Sequence, residues 1–174
     1  CARALYEIGM RRYAVFSINE ALEIPPFVGK SEILILGRTD VESLSLLSEK
    51  GFTQTVFSEE YAGVLSSFSG KLNLHIKVDT GMSRIGVSDN ESGFYAVKTI
   101  AMMPNLTIEG IFSHFAKADY KDKTSADRQT ARFDAFVKRL EDEGINIPIK
   151  HICNSAGLIE FDVQHYDMVR MGIA

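Results

Sequence analysis

Strand-like and helix-like patterns alternate along almost the whole chain, and this alternation limits the possible folds more than any other feature. Because strands that alternate with helices favour a parallel sheet, and this chain has more strands than a short open sheet needs, we predict an incomplete TIM-type (β/α)8 barrel. A doubly wound open sheet fits the same alternation, although no Gly-x-Gly-x-x-Gly or Walker A sequence supports it. The strands are predicted at Tyr13–Phe16, Glu32–Leu36, Gln54–Phe57, Leu72–Val78, Ile108–Ser113, Ile149–Cys153 and Met168–Val169.

Residues that commonly begin or end helices separate these strands. Asp40 and Ser58 stand where a side-chain oxygen can cap a helix N-terminus. Gly51 and Gly144 follow helical patterns at the position where a left-handed residue often ends a helix. Pro104 ends a further helical pattern, because proline has no amide hydrogen to donate. The sequence therefore predicts helices between most of the strands.

Charge and cysteine content exclude several classes of protein. The 174 residues carry a formal net charge of -4, and the basic residues are dispersed, so we expect no nucleic-acid partner. No apolar run approaches the roughly 18 residues of a membrane span, and no signal peptide is apparent. Cys1 and Cys153 are too few for a disulfide framework. We expect one domain over residues 1–174 in the cytoplasm, with no membrane partner and with both chain ends cut from a longer protein.

Polar and apolar residues alternate strictly over residues 72–79. Asn73, His75, Lys77 and Asp79 share one face of this strand. Since the outer face of a barrel strand packs against helices, these four side chains are predicted to point into the barrel. Unpaired charges there cost several kcal/mol, so Lys77 needs a partner or a chemical modification. An edge strand with a solvated polar face is the alternative.

A glycine-flanked arginine follows this strand. Gly81 and Gly86 allow tight backbone turns on either side of Arg84, at the strand end where barrels place functional groups. The planar guanidinium group can hold a carboxylate or a phenolate through a fork of donors. Arg84 is therefore a candidate anion-binding residue, and a surface arginine after a turn is the alternative.

Four segments, in the same order, resemble a known family. Lys77–Gly86 is similar to the K-V-D-T-G-M-x-R-x-G signature of alanine racemases, with Ser83 where many members have glycine. The resemblance implies a barrel domain that binds pyridoxal phosphate, here lacking its first strand and the β-rich C-terminal domain. The other segments that carry the resemblance are Gly110–Ala116, His151–Ala156 and Asp167–Ala174, with looser matches at Tyr13–Val15 and Asn19–Ala21.

The resemblance implies roles for three residues near the substrate. Lys77 corresponds to a lysine that is often carbamylated, and a pair with Asp79 is the alternative. Arg84 corresponds to an arginine that contacts the substrate carboxylate and the phenolic oxygen of the catalytic tyrosine. His114 corresponds to a histidine close to the cofactor ring, and a hydrogen-bonded core histidine is the alternative.

The resemblance also implies a phosphate site and its support. The Ser155 hydroxyl and the backbone amides of Gly172 and Ile173 correspond to groups that bind the cofactor phosphate. Late barrel loops are where phosphates usually lie. Asn154 and His151 would support this site, although an asparagine in a turn needs no function.

Arg170 corresponds to the arginine that faces the pyridine nitrogen of the cofactor. Many other enzymes with this cofactor place a carboxylate there. Since arginine stays protonated, it donates to an unprotonated ring nitrogen and weakens the ring as an electron sink. A salt bridge between Arg170 and Asp167 is the alternative.

By the same resemblance, the whole protein is a homodimer that interconverts L-alanine and D-alanine for peptidoglycan through two proton-transferring bases. The lysine base would lie upstream of Cys1 and the tyrosine base in the C-terminal domain, so we expect residues 1–174 alone not to racemise alanine. A serine or broad-specificity racemase and a noncatalytic barrel that binds the cofactor are the alternatives. No metal is expected, because the histidines lack ligand spacing.

Overall fold

In the computed structural model, residues 1–24, 32–161 and 165–172 are described, and their strands form one sheet. The order β1-β2-β3-β4-β6-β7 runs through parallel pairs only, with the two-residue strand β5 paired to the end of β4. This order confirms the predicted incomplete parallel barrel. The strands are β1 Tyr13–Val15, β2 Ile33–Ile35, β3 Thr53–Val56, β4 Leu72–Asp79, β5 Val87–Ser88, β6 Leu106–Phe112 and β7 Ile149–His151.

Helices connect the strands, and two of the predicted helix ends are confirmed. The Ser58 side chain accepts a hydrogen bond of 3.2 Å from the Tyr61 amide, and Gly51 ends its helix with φ = 66°. Asp40 makes no side-chain cap; it precedes a short 3-10 helix, Val41–Ser43, so that prediction was wrong. The α-helices are α1 Ala2–Glu7, α2 Ile18–Glu23, α3 Leu44–Lys50, α4 Glu59–Ser66, α5 Glu91–Ala101, α6 Thr124–Asp142 and α7 Ser155–Glu160.

The predicted strand at Met168–Val169 was wrong. The chain still runs beside β7, because the Asp167 amide donates to the Lys150 carbonyl at 3.1 Å and the Arg170 amide donates to the Cys153 carbonyl at 3.0 Å. Between these two bonds, the Ile152 carbonyl accepts from the Arg170 guanidinium group. The Arg170 side chain therefore donates to the Ile152 carbonyl, which in a regular strand would accept from a backbone amide.

β4 lies in the middle of the sheet and is buried on both faces. It pairs with β3 and β6, so the alternative of a solvated edge strand was wrong. Its alternate residues Leu72, Leu74, Ile76 and Val78 join the core formed with the helices. His75 and Lys77 on the other face are only 5% and 3% exposed. The alternation therefore marks two buried faces, of which one is polar.

Within the described part of the chain, no helix combines the length and the apolar character needed to cross a bilayer.

Candidate active site

Arg170 is the centre of a polar cluster at the carboxyl ends of β6 and β7. Its guanidinium group donates to the Ser113 carbonyl at 2.6 Å, to the Ile152 carbonyl at 3.2 Å and to Nδ1 of His151. A further nitrogen, Nδ1 of His114, lies 3.4 Å from Arg170 Nη2. Burial lowers the pKa of Arg170 to about 10, so the group stays protonated at neutral pH. These contacts fix a cation at one point on the inner face of the sheet.

Asp167 does not pair with Arg170. Its carboxylate accepts a hydrogen bond of 2.7 Å from the Lys150 amide instead. The salt bridge that the sequence offered as an alternative was therefore wrong, and the neighbours of the Arg170 guanidinium group are neutral.

Two buried histidines extend the contact from Arg170 back to β4. Nδ1 of His75 lies 2.9 Å from Nε2 of His151. Since Arg170 can only donate, Nδ1 of His151 is the acceptor, and its Nε2 carries the hydrogen that it donates to His75. Burial lowers the pKa of His75 to about 4 and that of His151 well below the usual value. Both rings are therefore neutral, and they hold Arg170 in one orientation.

Gly110 makes this contact between the histidines possible. It lies on β6 between the strands of His75 and His151, and a Cβ atom at this position would stand 2.5 Å from both Cε1 and Nε2 of the His75 ring. Any side chain at residue 110 must therefore displace His75.

We predict that Gly110→Ala lowers the free energy of unfolding by about 1–3 kcal/mol, the usual cost of overpacking a core. Denaturant titration of the full-length protein measures this loss. Gly63→Ala in α4 is the matched control, because a Cβ atom there has no neighbour within 4 Å and alanine favours a helix. Equal stability of the two variants would contradict the predicted crowding of His75.

Lys77 is a buried cation without a carboxylate contact among the described residues. Its Nζ atom donates to the Val78 carbonyl at 2.9 Å and lies 5.8 Å from the centre of the Phe112 ring. Burial lowers the pKa of Lys77 to about 8; Asp79 opposes this shift, and the charges of Arg170 and Arg84 add to it. The alternative of a direct pair with Asp79 was wrong, since the Asp79 carboxylate accepts from backbone amides instead.

Arg84 lies on the exposed loop between β4 and β5. Its side chain has no hydrogen bond or ion pair with the described residues, but its charge lowers the pKa of Lys77 and His114. The loop turns tightly: Ser83 has φ = 56°, and a Cβ atom on Gly86 would stand 2.7 Å from the Asp79 amide nitrogen. Arg84 is therefore placed by the loop backbone and not by its own contacts.

The predicted phosphate-site residues lie on the other side of His114. Nε2 of His114 is 3.5 Å from Nδ2 of Asn154, whose Oδ1 accepts from the Gly157 amide at 2.9 Å. The Ser155 hydroxyl oxygen accepts a bond of 3.0 Å from the Gly172 amide. Ile173 lies outside the described residues. The structure therefore brings His114, Asn154 and Arg170 into contact, and Ser155 into contact with Gly172.

The electrostatics of the site favour an anionic ligand. Arg170, Lys77 and Arg84 are cationic groups, and burial, with the Arg170 charge, lowers the pKa of His114 to about 4, so that this ring is neutral. Asp79 is the one carboxylate that acts on Lys77 among the described groups. The fold and the site together define an α/β-barrel enzyme domain with a cationic ligand site at the carboxyl ends of its strands.

The chain belongs to the family of alanine racemase N-terminal domains, whose family model matches residues 1–174. It is 40% identical over 176 residues to alanine racemase 2 of Caldanaerobacter subterraneus subsp. tengcongensis, covering 99% of this chain and 45% of that protein. It is 41% identical over 171 residues to the alanine racemase of Methanococcus maripaludis, covering 96% of this chain and 46% of that protein.

Solved structures agree with this assignment. The alanine racemase of Clostridium difficile 630 superposes with a TM-score of 0.89 at 30% identity, covering 99% of this chain and 49% of that one. The alanine racemase of E. faecalis gives a TM-score of 0.86 at 30% identity, covering 99% of this chain and 47% of that one. The chain thus spans about half the length of the relatives it matches.

Proposed function

We propose that the whole protein is a pyridoxal-phosphate-dependent racemase that interconverts L-alanine and D-alanine, and that residues 1–174 supply the larger part of its barrel domain. The observation that carries this proposal is the fixed, protonated Arg170, which is surrounded by neutral acceptors on the inner face of the sheet. Membership of the alanine racemase family supports it.

The residues present fit the proposed cofactor. Two carbonyl oxygens and His151 hold the guanidinium group of Arg170 in one orientation, and this group would face the pyridine nitrogen of the cofactor. The Ser155 hydroxyl accepts from Gly172, so its own proton is free to be donated to a phosphate oxygen. The Gly172 amide, which donates to Ser155 in this structure, would turn to the phosphate and complete the site together with the Ile173 amide, with Asn154 in support. When bound, pyridoxal phosphate supplies an electron sink that acidifies the α-proton of an amino acid.

The side chains of this chain bind and orient, and none of them is proposed as a proton-transferring base. Arg170 holds its proton at neutral pH and would therefore leave the ring nitrogen unprotonated, which limits side reactions that need a stronger electron sink. His114 would contact the ring in its neutral form. Arg84 would bind the substrate carboxylate through its planar fork of donors.

The remaining parts of the proposal concern the whole protein. Racemisation needs one base on each face of the α-carbon, and we propose that a lysine and a tyrosine outside residues 1–174 supply them. We further propose a homodimer that makes D-alanine for peptidoglycan. A cytoplasmic location stays a prediction, which rests on a cysteine content too low for a disulfide framework.

The test is turnover by the full-length protein, measured as D-alanine formed from L-alanine with added pyridoxal phosphate. We expect racemisation, with a higher kcat/KM for L-alanine than for L-serine. Residues 1–174 alone are the control and are expected to be inactive. Preference for serine would support a serine or broad-specificity racemase instead, and cofactor binding without turnover would support a noncatalytic barrel protein.

A further inference from the structure

The side chain of Gln129 on α6 forms hydrogen bonds with two loops of the site. Its Nε2 atom donates to the His114 carbonyl at 2.9 Å and lies 3.4 Å from Oγ1 of Thr80, and its Oε1 atom accepts from the Ala116 amide at 2.9 Å. Thr80 follows β4, whereas His114 and Ala116 follow β6. One carboxamide therefore connects the loop that carries Arg84 with the loop that carries His114.

This connection is buried. Gln129 is 2% exposed, and the hydroxyl of Thr80 also lies 2.8 Å from the hydroxyl of Ser113, with both of these residues buried. A primary amide removed from water is costly unless its donors and its acceptor are paired. The contacts of Gln129 with the two loops therefore offset the cost of burying it.

Arg132, on the next turn of α6, holds the far end of the Arg84 loop. Its guanidinium group makes two hydrogen bonds to the carboxylate of Asp89, just beyond β5. Gly81 packs between the two helix side chains: a Cβ atom there would stand 3.5 Å from Cγ of Gln129 and 3.9 Å from Nη1 of Arg132. The segment of residues 80–89 thus contacts α6 at both ends, through Thr80 and Asp89, and Arg84 lies between these two contacts.

We infer that Gln129 is a positioning residue, which fixes the Arg84 loop relative to the His114 loop, and that Arg132 fixes the second end of the Arg84 loop. Arg84 makes no hydrogen bond or ion pair with the described residues, so the loop sets its position. The contacts of Gln129 and Arg132 hold that loop together with the hydrogen bonds from the Gly81 and Ser83 amides to Asp79. The inference rests on the proposed function in one respect, the binding of the substrate carboxylate by Arg84. Small errors of placement in an active site are costly in rate.

The test compares full-length wild-type enzyme with Gln129→Met, which keeps a similar length but removes the donors and the acceptor. Thr130→Val is the matched control, because the one bond of the Thr130 hydroxyl among the described residues stays within α6, to the Ala126 carbonyl at 3.0 Å. Propionate, which is alanine without its amino group, probes carboxylate binding as a competitive inhibitor. We expect Gln129→Met to raise both KM for alanine and the inhibition constant of propionate by about tenfold, with a smaller change in kcat.

Amide hydrogen exchange supplies a readout that does not depend on activity. In Gln129→Met, we expect faster exchange in residues 80–89 and 114–118, with the sheet amides unchanged, and no such change in Thr130→Val. Arg132→Gln is the second variant, to be used if Gln129→Met does not fold, because the Arg132 side chain is partly exposed. It is expected to raise KM for alanine and to speed exchange in residues 80–89 only.

The outcomes separate this inference from the proposed function. Unchanged exchange in both loops of Gln129→Met, or loosened loops with unchanged KM and propionate inhibition, would overturn the positioning role. If Gln129→Met does not fold, unchanged KM and unchanged exchange in Arg132→Gln would overturn the inference that contacts with α6 position the Arg84 loop. A wild-type protein that does not racemise alanine would refute the proposed function, while exchange in the two loops would still decide whether Gln129 fastens them.

Discussion

Arg170→Met is expected to lower kcat/KM for alanine by about 100- to 1000-fold, the loss typical of removing a preorganised donor from an active site. The variant also leaves the carbonyl oxygens of Ser113 and Ile152 and Nδ1 of His151 without the donor that they share. Each buried acceptor left unpaired costs about 1–3 kcal/mol. Racemisation kinetics and denaturant titration of the full-length protein measure the two losses.

Two further variants separate the contributions of Arg170. Arg170→Lys keeps a cation but has no planar fork, so it is expected to recover part of the stability and little of the activity. Arg139→Met is the matched control for loss of an arginine, because Arg139 forms an exposed pair with Glu91, and such pairs contribute about 0–1 kcal/mol. Activity of Arg170→Met within tenfold of the wild type would contradict the central role given to this residue.

Local patterns predicted most of the fold. The polar and apolar faces of β4, the Ser58 cap and the left-handed Gly51 are each determined by residues a few positions apart, so they are readable in the sequence. β5 is only two residues long and has no period to detect. The error at Met168–Val169 has a tertiary cause, because a strand pattern does not reveal that the Arg170 side chain takes the Ile152 carbonyl.

The contacts of the site were less predictable than its residues. The resemblance picked out Arg170, His114 and Asn154, which the structure brings together, but the pattern around Arg170 suggested Asp167 as its partner. The contact between His75 and His151 joins residues 76 positions apart, and a single sequence carries no signal for it beyond the inward face of β4 and a glycine on the next strand. Gln129 reads as an ordinary polar residue of a helix, and only its burial reveals its role.

Lys77 is expected to carry a carbamate in the whole enzyme. Only a neutral amine attacks carbon dioxide, forming the N–C bond and releasing one proton, and a pKa of about 8 leaves roughly a tenth of Lys77 neutral at pH 7. The product is an anion in the field of the Arg84 and Arg170 charges that lower this pKa. A carbamate on Lys77 would be able to accept charge-assisted hydrogen bonds from Arg84. Loss of such a bond costs about 1.5–3 kcal/mol, so Lys77→Met is expected to lower kcat/KM roughly 10- to 100-fold.

Two measurements on the full-length protein test this expectation. With ¹³C-labelled bicarbonate, the wild type is expected to show a carbamate resonance that Lys77→Met lacks. Without carbon dioxide, the unfolded chain binds more protons than the folded one between pH 8 and the ordinary lysine pKa of 10.5. The stability of the wild type relative to Lys77→Met should therefore rise across this window, by at most about 3 kcal/mol.

Lys98→Met is the control for both measurements, because Lys98 is partly exposed and pairs with Glu143 at 2.7 Å. It should keep the carbamate resonance and give no comparable pH-dependent difference in stability. A resonance that survives in Lys77→Met would place the carbamate elsewhere. Absence of the resonance from the wild type, together with a flat stability difference between pH 8 and 10.5, would mean that the Lys77 amine stays protonated and carries no carbamate.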